Sequence, residues 1–285
     1  MGIKIITDST ADINGALRDE LNVDVCPLSI MFKGDEQVYL DQVNLTNEEF
    51  YQRLELAETL PVTSQIPTGK FCKIFDFYLK QGDELVGIFL SSKLSGTYQT
   101  AIMAKEMFPS EAQEKIHIID SEAVTLQLGN LVCEAVRLKN EGLSGKEIKE
   151  TLDQMKKKNI LYAVIGDLKY LTMGGRLSKA SANIGTILHI NPVIKLENGE
   201  ITLIQKLRGK RKAYQYIKNI VSKDNVDYNK NVFVGHTNNP GILKDFWEII
   251  KDLIPPSATV KSGIIGSVVG THGGPNCTGI TYFRQ

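Results

Sequence analysis

The chain of 285 residues lacks the short motifs that mark most cofactor and metal sites. It has no G-x-x-x-x-G-K-[ST] phosphate loop, no G-x-G-x-x-G turn after its first strand, no H-E-x-x-H pair and no dense acidic cluster. The sequence therefore shows no means of holding ATP or magnesium by itself. We expect no cofactor.

The balance of charges and the spacing of the cysteines argue against nucleic-acid binding, disulfide frameworks and zinc sites. The 33 Lys and Arg residues balance 33 Asp and Glu residues, so no global basic field favours nucleic acid. The four cysteines are far apart without a C-x-x-C pair, which favours reduced thiols over disulfides or zinc. No apolar run is long enough to span a bilayer, and the chain enters a strand at once without a signal peptide. We expect a cytoplasmic globular protein without an integral membrane segment.

Strands and helices alternate in the first half of the chain. The apolar and polar patterns predict strands over residues 4–7, 23–32, 84–90 and 115–119. They predict helices over residues 12–21, 47–57, 68–81, 95–107, 124–140 and 145–157. Such alternation favours a mainly parallel sheet with helices on both faces.

The pattern changes after a run of lysines at residues 156–158, which we interpret as a crossing into a second domain. Asn198-Gly199 predicts the turn of a β-hairpin. Further strands are expected at I-L-Y-A-V-I-G-D-L, N-V-F-V-G-H-T, A-T-V-K-S-G-I-I-G-S-V-V-G-T-H and T-G-I-T-Y-F, with a helix over 241–253. The predicted fold class is α/β in two domains. An α/β domain with a parallel sheet spans 1–158, and an α+β domain with a mixed sheet spans 159–285.

Hydroxyl side chains follow several of the predicted strands. In S-S-K-L-S-G-T-Y-Q-T-A, Ser95 and Thr97 stand where a helix begins, and free backbone N–H groups at such a point suit an anion. The alternative is that Ser95 is only a helix N-cap. Similar turns are Asp8-Ser9-Thr10, Thr63-Ser64 and Asp120-Ser121. Because ligands of open α/β sheets bind beyond the carboxyl ends of the strands, the four turns are expected to share one crevice.

A second candidate for chemistry is His272, in V-V-G-T-H-G-G-P-N, which we interpret as a histidine at a strand end among glycines. Paired with Ser95, it would form a nucleophile–base couple. However, Ser95 is not in a G-x-S-x-G elbow, and no third member of a triad can be assigned. The alternative is a surface histidine in a turn.

A third candidate is basic. Arg176 and Lys179 follow a glycine pair, and five cations are concentrated in seven residues: Lys206, Arg208, Lys210, Arg211 and Lys212. Such a patch favours an acidic partner surface or a phosphate. The alternative is a solvated helix start, and no pattern typical of a nucleic-acid-binding helix supports DNA or RNA.

The motifs I-T-D-S-T-A-D-I, T-S-Q-I-P-T-G-K-F, S-S-K-L-S-G-T-Y-Q-T-A, I-D-S-E-A-V-T-L-Q-L-G, Y-L-T-M-G-G-R-L-S-K-A, G-H-T-N-N-P and G-T-H-G-G-P resemble, in this order, the signatures of the DegV family. The resemblance covers nearly the whole chain. It implies a protein that holds a long-chain fatty acid in a tunnel between two domains. It further implies the fatty-acid-binding subunit of a bacterial two-component fatty acid kinase. Such a subunit presents the carboxylate to a separate ATP-binding kinase subunit, and the resulting acyl phosphate feeds phospholipid synthesis.

The resemblance also implies roles for particular residues and no catalytic residue. Thr63, Ser95, Gly96 and His272 would bind the carboxylate, and Arg176 and Arg208 would contact the kinase subunit or the transferred phosphate. The chain departs from the family pattern in two places: the prolines after T-S-Q are shifted, and Asn276 replaces the last glycine of G-P-G.

Two other functions stay open from the residues alone. One is a serine hydrolase of lipid esters that uses Ser95 and His272. The other is a lipid carrier or regulator without a kinase partner. The residues that line a tunnel cannot be named from the sequence, because the apolar helix faces suit a core equally well.

Overall fold

A computed structural model describes residues 2–13, 15–178 and 190–285. Thirteen strands form three sheets within these residues: β1 Ile3–Asp8, β2 Asp24–Cys26, β3 Ser29–Met31, β4 Tyr39–Leu40, β5 Val62–Ser64, β6 Glu84–Phe89, β7 Ile116–Asp120, β8 Asn159–Val164, β9 Asn191–Glu197, β10 Glu200–Leu207, β11 Val232–His236, β12 Val260–Ile264 and β13 Thr278–Phe283. The helices are α1 Gly15–Leu21, α2 Asn47–Leu56, α3 Thr68–Lys80, α4 Thr97–Glu106, α5 Ser110–Gln113, α6 Leu126–Asn140, α7 Gly145–Met155, α8 Lys169–Met173, α9 Lys210–Val221, α10 Pro240–Ile250 and α11 Ser267–Gly273.

The first sheet is parallel, with the strand order β2-β1-β6-β7. Successive residues of β1 and β6 are buried, as expected where helices cover both faces of a parallel sheet. The chain leaves β1 toward β2 on one side and reaches β6 and β7 on the other. The order of the strands therefore reverses between β1 and β6, and a crevice opens beyond their carboxyl ends.

The second sheet is mixed, with the order β10-β9-β8-β13-β11-β12. Its two faces pack against different partners, because strand side chains alternate between faces. Tyr162 and Tyr282 belong to the apolar core beneath α9 and α10. Leu161 and Leu196 face the other way and join a core that also contains Ile88 of β6.

These sheets confirm the predicted fold class. Each strand of the parallel sheet precedes residue 158, and each strand of the mixed sheet follows it. The division into domains 1–158 and 159–285 stays a prediction. The hairpin of β9 and β10 is confirmed at Asn198-Gly199, where φ angles of 53° and 79° place both residues in the left-handed region that such a turn requires.

The single strand predicted over 23–32 is wrong. Two short strands occupy this segment, β2 in the parallel sheet and β3 in a separate antiparallel sheet of order β4-β3-β5. Pro27 lies between them, and a proline cannot donate a ladder hydrogen bond. Thr63 and Ser64, expected in a turn, lie on β5 of this small sheet.

The predicted strand that ends at His272 is also wrong. β12 ends at Ile264, and residues from Ser267 form helix α11. Two buried carboxylates stabilise the start of this helix: Asp12 accepts from Gly266 N at 2.8 Å, and Asp41 accepts from Ser267 N at 3.1 Å. Carboxylates at a helix N-terminus satisfy its free N–H groups and favour its dipole. His272 therefore lies in the last turn of a helix.

Candidate functional site

One cavity lies between the carboxyl ends of β1 and β6 and the inner face of the mixed sheet. Its volume, counted as the space that the centres of water molecules can occupy, is about 210 Å³. Its wall is mostly aliphatic, and its polar side chains include Thr63, Gln65, Ser95, Arg176 and His272. This combination of an apolar body with a few convergent polar groups is typical of a small-molecule site.

Only some of the predicted Ser- and Thr-containing turns place a hydroxyl group in this cavity. Thr10, Thr63 and Ser95 line it, but the Thr10 hydroxyl already donates to Asp8 at 2.5 Å. The Ser9 hydroxyl accepts from Leu28 N at 3.2 Å and is fully buried. Thr63, Ser64 and Ser95 are therefore the hydroxyls of these turns that line the cavity with remaining capacity for a ligand.

The expected contribution of the Asp120-Ser121 turn is wrong. Asp120 accepts from Ser92 N and Glu122 N, each at 3.1 Å, and Ser121 Oγ donates to Ala123 O at 3.2 Å. Neither Asp120 nor Ser121 lines the cavity. This turn fixes the local backbone by side-chain hydrogen bonds, as Asp and Ser commonly do in turns.

Ser95 stands where α4 begins, as the sequence predicts, although the helix starts two residues later than expected. Ser95 Oγ accepts from Thr97 N at 3.3 Å and lies 3.1 Å from Thr97 Oγ1. Among the described residues, the N–H groups of Gly96, Tyr98 and Gln99 have no acceptor. The side-chain amide of Gln65 lies against Gly96, and a Cβ at this position would have to displace it. Ser95 thus precedes the N-cap, Gly96, accepts from the first N–H of α4 and also lines the cavity. The start of α4 offers further N–H donors to an anion.

Thr63 and His272 meet although 209 residues separate them, with 3.0 Å between Thr63 Oγ1 and His272 Nε2. Burial and the nearby positive charge of Arg176 lower the pKa of His272 to about 4, so the ring is neutral at neutral pH. When the hydrogen is on Nε2, the ring donates to Thr63 Oγ1. The Thr63 hydroxyl hydrogen is then left to donate to a ligand.

Arg176 lies beside this pair. Its Nε donates to Leu94 O at 3.3 Å, and its Nη1 donates to Gly174 O. Within the described residues, no carboxylate forms an ion pair with Arg176. Arg176 lines the same cavity as Thr63 and Ser95, and Gly175 before it has a φ of 68°, in the left-handed region.

His272 Nδ1 is buried and has no hydrogen-bond partner in the described part of the chain. The imidazole packs on Gly174, where any Cβ would overlap Nδ1. A general base in a serine hydrolase needs contact with the nucleophile and an acceptor that orients its other nitrogen. Instead, His272 contacts Thr63, and Ser95 contacts Thr97. The geometry does not assemble the couple that the hydrolase hypothesis requires.

Arg208 lies elsewhere. It follows β10 and is exposed, whereas Arg176 precedes Leu177, which forms a bridge with Ile201 near the start of β10. Arg208 lies seven residue steps beyond Ile201, roughly 23 Å at the usual rise per strand residue. The two guanidinium groups therefore lie in different places and cannot bind one small anion together. Lys179 lies outside the described residues.

The apolar wall comes largely from the inner face of the mixed sheet. It includes Leu161 and Ala163 of β8, Leu196 of β9, Gly235 of β11 and Gly279 of β13. None of these residues is predicted from the sequence as part of the site. Gly235 and Gly279 do carry a signal in the sequence, because glycines inside strands often mark the close approach of another group.

The donors at the polar end are neutral apart from Arg176, and this set favours an anionic oxygen group such as a carboxylate. No group of three or more His, Cys, Asp or Glu residues in the described ranges could hold a metal ion. No helix in the same ranges is long and apolar enough to cross a membrane.

Comparisons with known proteins agree with this fold. The family model described as "Uncharacterised protein, DegV family" matches residues 2–285. A DegV domain-containing protein of Caldanaerobacter subterraneus subsp. tengcongensis is 34% identical over 281 residues, which covers 98% of each chain. Another, from Halalkalibacterium halodurans, is 34% identical over 287 residues and covers 99% of each chain.

Solved structures share the fold over its full length. DegV from Bacillus subtilis, a fatty acid binding protein, has a TM-score of 0.86 and 30% identity, and the match covers 100% of both chains. A stearic acid-binding protein from Eubacterium ventriosum has a TM-score of 0.88 and 28% identity, with coverage of 100% of this chain and 98% of that one. Since the family model covers all but the first residue and the relatives match over nearly their full length, this chain belongs to the DegV family.

Proposed function

We propose that this protein binds one long-chain fatty acid in the cavity between its two main sheets. Thr63, Ser95, Gly96 and His272 bind the carboxylate, and the alkyl tail lies along the inner face of the mixed sheet. The observation that carries the proposal is the contact of Thr63 with His272 at the polar end of an otherwise aliphatic cavity. The fatty acids bound by the similar Bacillus subtilis and Eubacterium ventriosum proteins support the same ligand class.

The energetics assign different roles to the tail and the carboxylate. Burying about 14 methylenes is worth on the order of 11 kcal/mol. A hydrogen bond to a charged group contributes about 1.5–3 kcal/mol net. The tail therefore supplies most of the affinity, and the polar groups fix the end at which the carboxylate lies. Hydrogen bonds from neutral donors also favour the ionised carboxylate.

We further propose that the bound carboxylate is presented to a separate ATP-dependent kinase subunit and becomes an acyl phosphate for phospholipid synthesis. This step rests on the family resemblance and on two features of charge. Arg176 lies at the polar end of the cavity without an ion pair in the described residues, where it can face a phosphoryl group. Arg208, Lys210, Arg211 and Lys212 are exposed and form no ion pairs within the described ranges. Cations at the start of α9 oppose its dipole, so an anionic partner surface would stabilise this region.

The test of ligand binding and the test of presentation are separate. Solvent extraction of the purified protein followed by mass spectrometry should yield about one fatty acid per chain, of about 14 to 18 carbons as the resemblance implies. A preparation that contains none and takes up none contradicts the binding proposal. ATP-dependent formation of acyl phosphate with a purified kinase subunit tests presentation. A loaded protein that supports no phosphorylation would leave a carrier or regulator as the function.

A further inference from the structure

A row of small residues crosses the inner face of the mixed sheet. The strand register pairs Ala163 of β8 with Gly279 of β13, Gly279 with Gly235 of β11, and Gly235 with Gly263 of β12. Ala163, Gly279 and Gly235 line the cavity, whereas Gly263, at the far end of the row, does not. The row forms a trough perpendicular to the strands, and the cavity occupies only part of it.

Leu126 fills the remaining part of this trough. A Cβ on Gly235 would overlap Leu126 Cδ1, and a Cβ on Gly263 would lie 2.7 Å from Leu126 Cδ2. The two methyl groups of Leu126 therefore rest on the last two glycines of the row. Leu126 is buried and lines the cavity together with Phe233. It separates the cavity from the end of the trough at Gly263.

The chain holds Leu126 firmly in this place. The preceding residue, Thr125, has φ 55° and ψ −146°, a backbone conformation that a β-branched residue rarely adopts. Thr125 Oγ1 donates to Asp12 Oδ2 at 2.6 Å, and Asp12 also accepts from Gly266 N. These buried hydrogen bonds fix the backbone just before Leu126 and thereby the depth at which its side chain enters the trough.

The dimensions fit the end of an acyl chain. Arg176, at the polar end, lies next to Leu177, which forms a bridge with β10, and Gly235 lies on β11. Four strand spacings separate β10 from β11, roughly 19 Å. An extended chain advances roughly 1.2 Å per bond, so this span accommodates about 16 bonds.

We propose that Leu126 closes the tail end of the cavity and so sets the longest acyl chain that the protein accepts. The inference rests on the proposed function, because it needs a fatty acid tail to lie along the trough. Shortening the side chain at this position should open the trough toward Gly263. Enlarging it should shorten the cavity.

The experiment measures the affinity for saturated acids of increasing length, by competition with a fluorescent fatty acid. Each further buried methylene gains roughly fourfold in affinity, so room for two more should tighten the binding of acids two carbons beyond the wild-type optimum about 15-fold. We expect this gain in Leu126→Ala. We expect the opposite shift, toward shorter acids, in Leu126→Phe. Leu128→Ala is the matched control, because Leu128 is fully buried on the same helix but does not line the cavity.

Thermal unfolding of each variant verifies that it is folded, and Leu126→Val replaces Leu126→Ala if the larger deletion is not tolerated. An optimum that moves with the size of residue 126 and stays fixed in Leu128→Ala supports the assignment. An unchanged optimum in folded Leu126 variants overturns it and leaves fatty acid binding intact. A wild-type protein that binds no acid of any length overturns the proposed function itself.

Discussion

Thr63→Val tests the polar end of the cavity with the smallest change in shape, because valine replaces the hydroxyl by a methyl group. The variant loses the donor to the carboxylate and the partner of His272 Nε2 at 3.0 Å. A hydrogen bond to a charged group is worth about 1.5–3 kcal/mol, so the fatty acid should bind about 12- to 150-fold more weakly. The buried imidazole also loses a partner, which should lower the free energy of unfolding by about 1–3 kcal/mol.

The matched control is Thr46→Val. Thr46 caps α2 by accepting from Glu49 N at 3.2 Å and does not line the cavity. Loss of this cap should lower stability by about 1 kcal/mol and leave affinity unchanged. Isothermal titration with a soluble fatty acid and urea unfolding, run on both variants, separate the two effects. Wild-type affinity in a folded Thr63→Val variant would refute the assignment of Thr63 to the carboxylate.

Three further predictions address the other polar residues. Ser95→Ala should weaken fatty acid binding and also lower the free energy of unfolding by about 1 kcal/mol, because Ser95 lines the cavity and accepts a hydrogen bond from Thr97 N at the start of α4. Titration and urea unfolding measure the two losses. Arg208→Gln should leave fatty acid affinity unchanged and depress acyl phosphate formation. Arg176→Gln should depress acyl phosphate formation and also alter fatty acid affinity, because only Arg176 of the two lines the cavity. Burial raises the pKa of Asp41 to about 6 from an ordinary value of 3.8, so the folded protein keeps a proton between these pH values that the unfolded chain releases. Relative to Asp41→Asn, wild-type stability should therefore fall by about 2 kcal/mol as the pH rises from 4 to 7, as followed by urea unfolding.

Each of these predictions has an outcome that contradicts it. Unchanged affinity in Ser95→Ala, with only the stability loss, would restrict the role of Ser95 to its hydrogen bond with Thr97 N at the start of α4. Full acyl phosphate formation in both arginine variants would leave the exposed basic run as a solvated helix start. Parallel pH profiles of wild type and Asp41→Asn would show that Asp41 is not protonated in the folded protein near pH 5.

Local signals explain which parts of the fold the sequence could predict. Asn198-Gly199 specifies its hairpin because the turn needs two residues that tolerate positive φ. The apolar runs of β1 and β6 identify buried parallel strands by themselves. The interruption between β2 and β3 at Pro27 also has a local cause, because proline cannot donate a ladder hydrogen bond. Hydrophobicity alone does not reveal it.

Helix α11 could not be predicted in the same way, because distant residues decide it. The segment S-V-V-G-T-H suits a strand by composition, but Asp12 and Asp41 bind its first N–H groups from 254 and 226 residues away. This is a case in which tertiary contacts override local propensity. The position of His272 follows from that helix.

The sequence predicts which residues belong to the candidate site better than it predicts how they contact one another. The order of the motifs pointed to Thr63, Ser95 and His272, and the structure brings all three to one cavity. Spacing along the chain could not show that His272 meets Thr63 and not Ser95. Nor could it place Arg176 beside them, since that depends on the turn at Gly175.

We propose that the cavity between the sheets holds a fatty acid by its carboxylate. Native mass spectrometry of the freshly purified protein, followed by extraction and identification of the released ligand, tests this proposal. The wild-type protein should show a mass increment equal to one long-chain fatty acid, and Thr63→Val should show a reduced occupancy. A protein without any bound lipid, which also takes up none from added fatty acid, would contradict the claim.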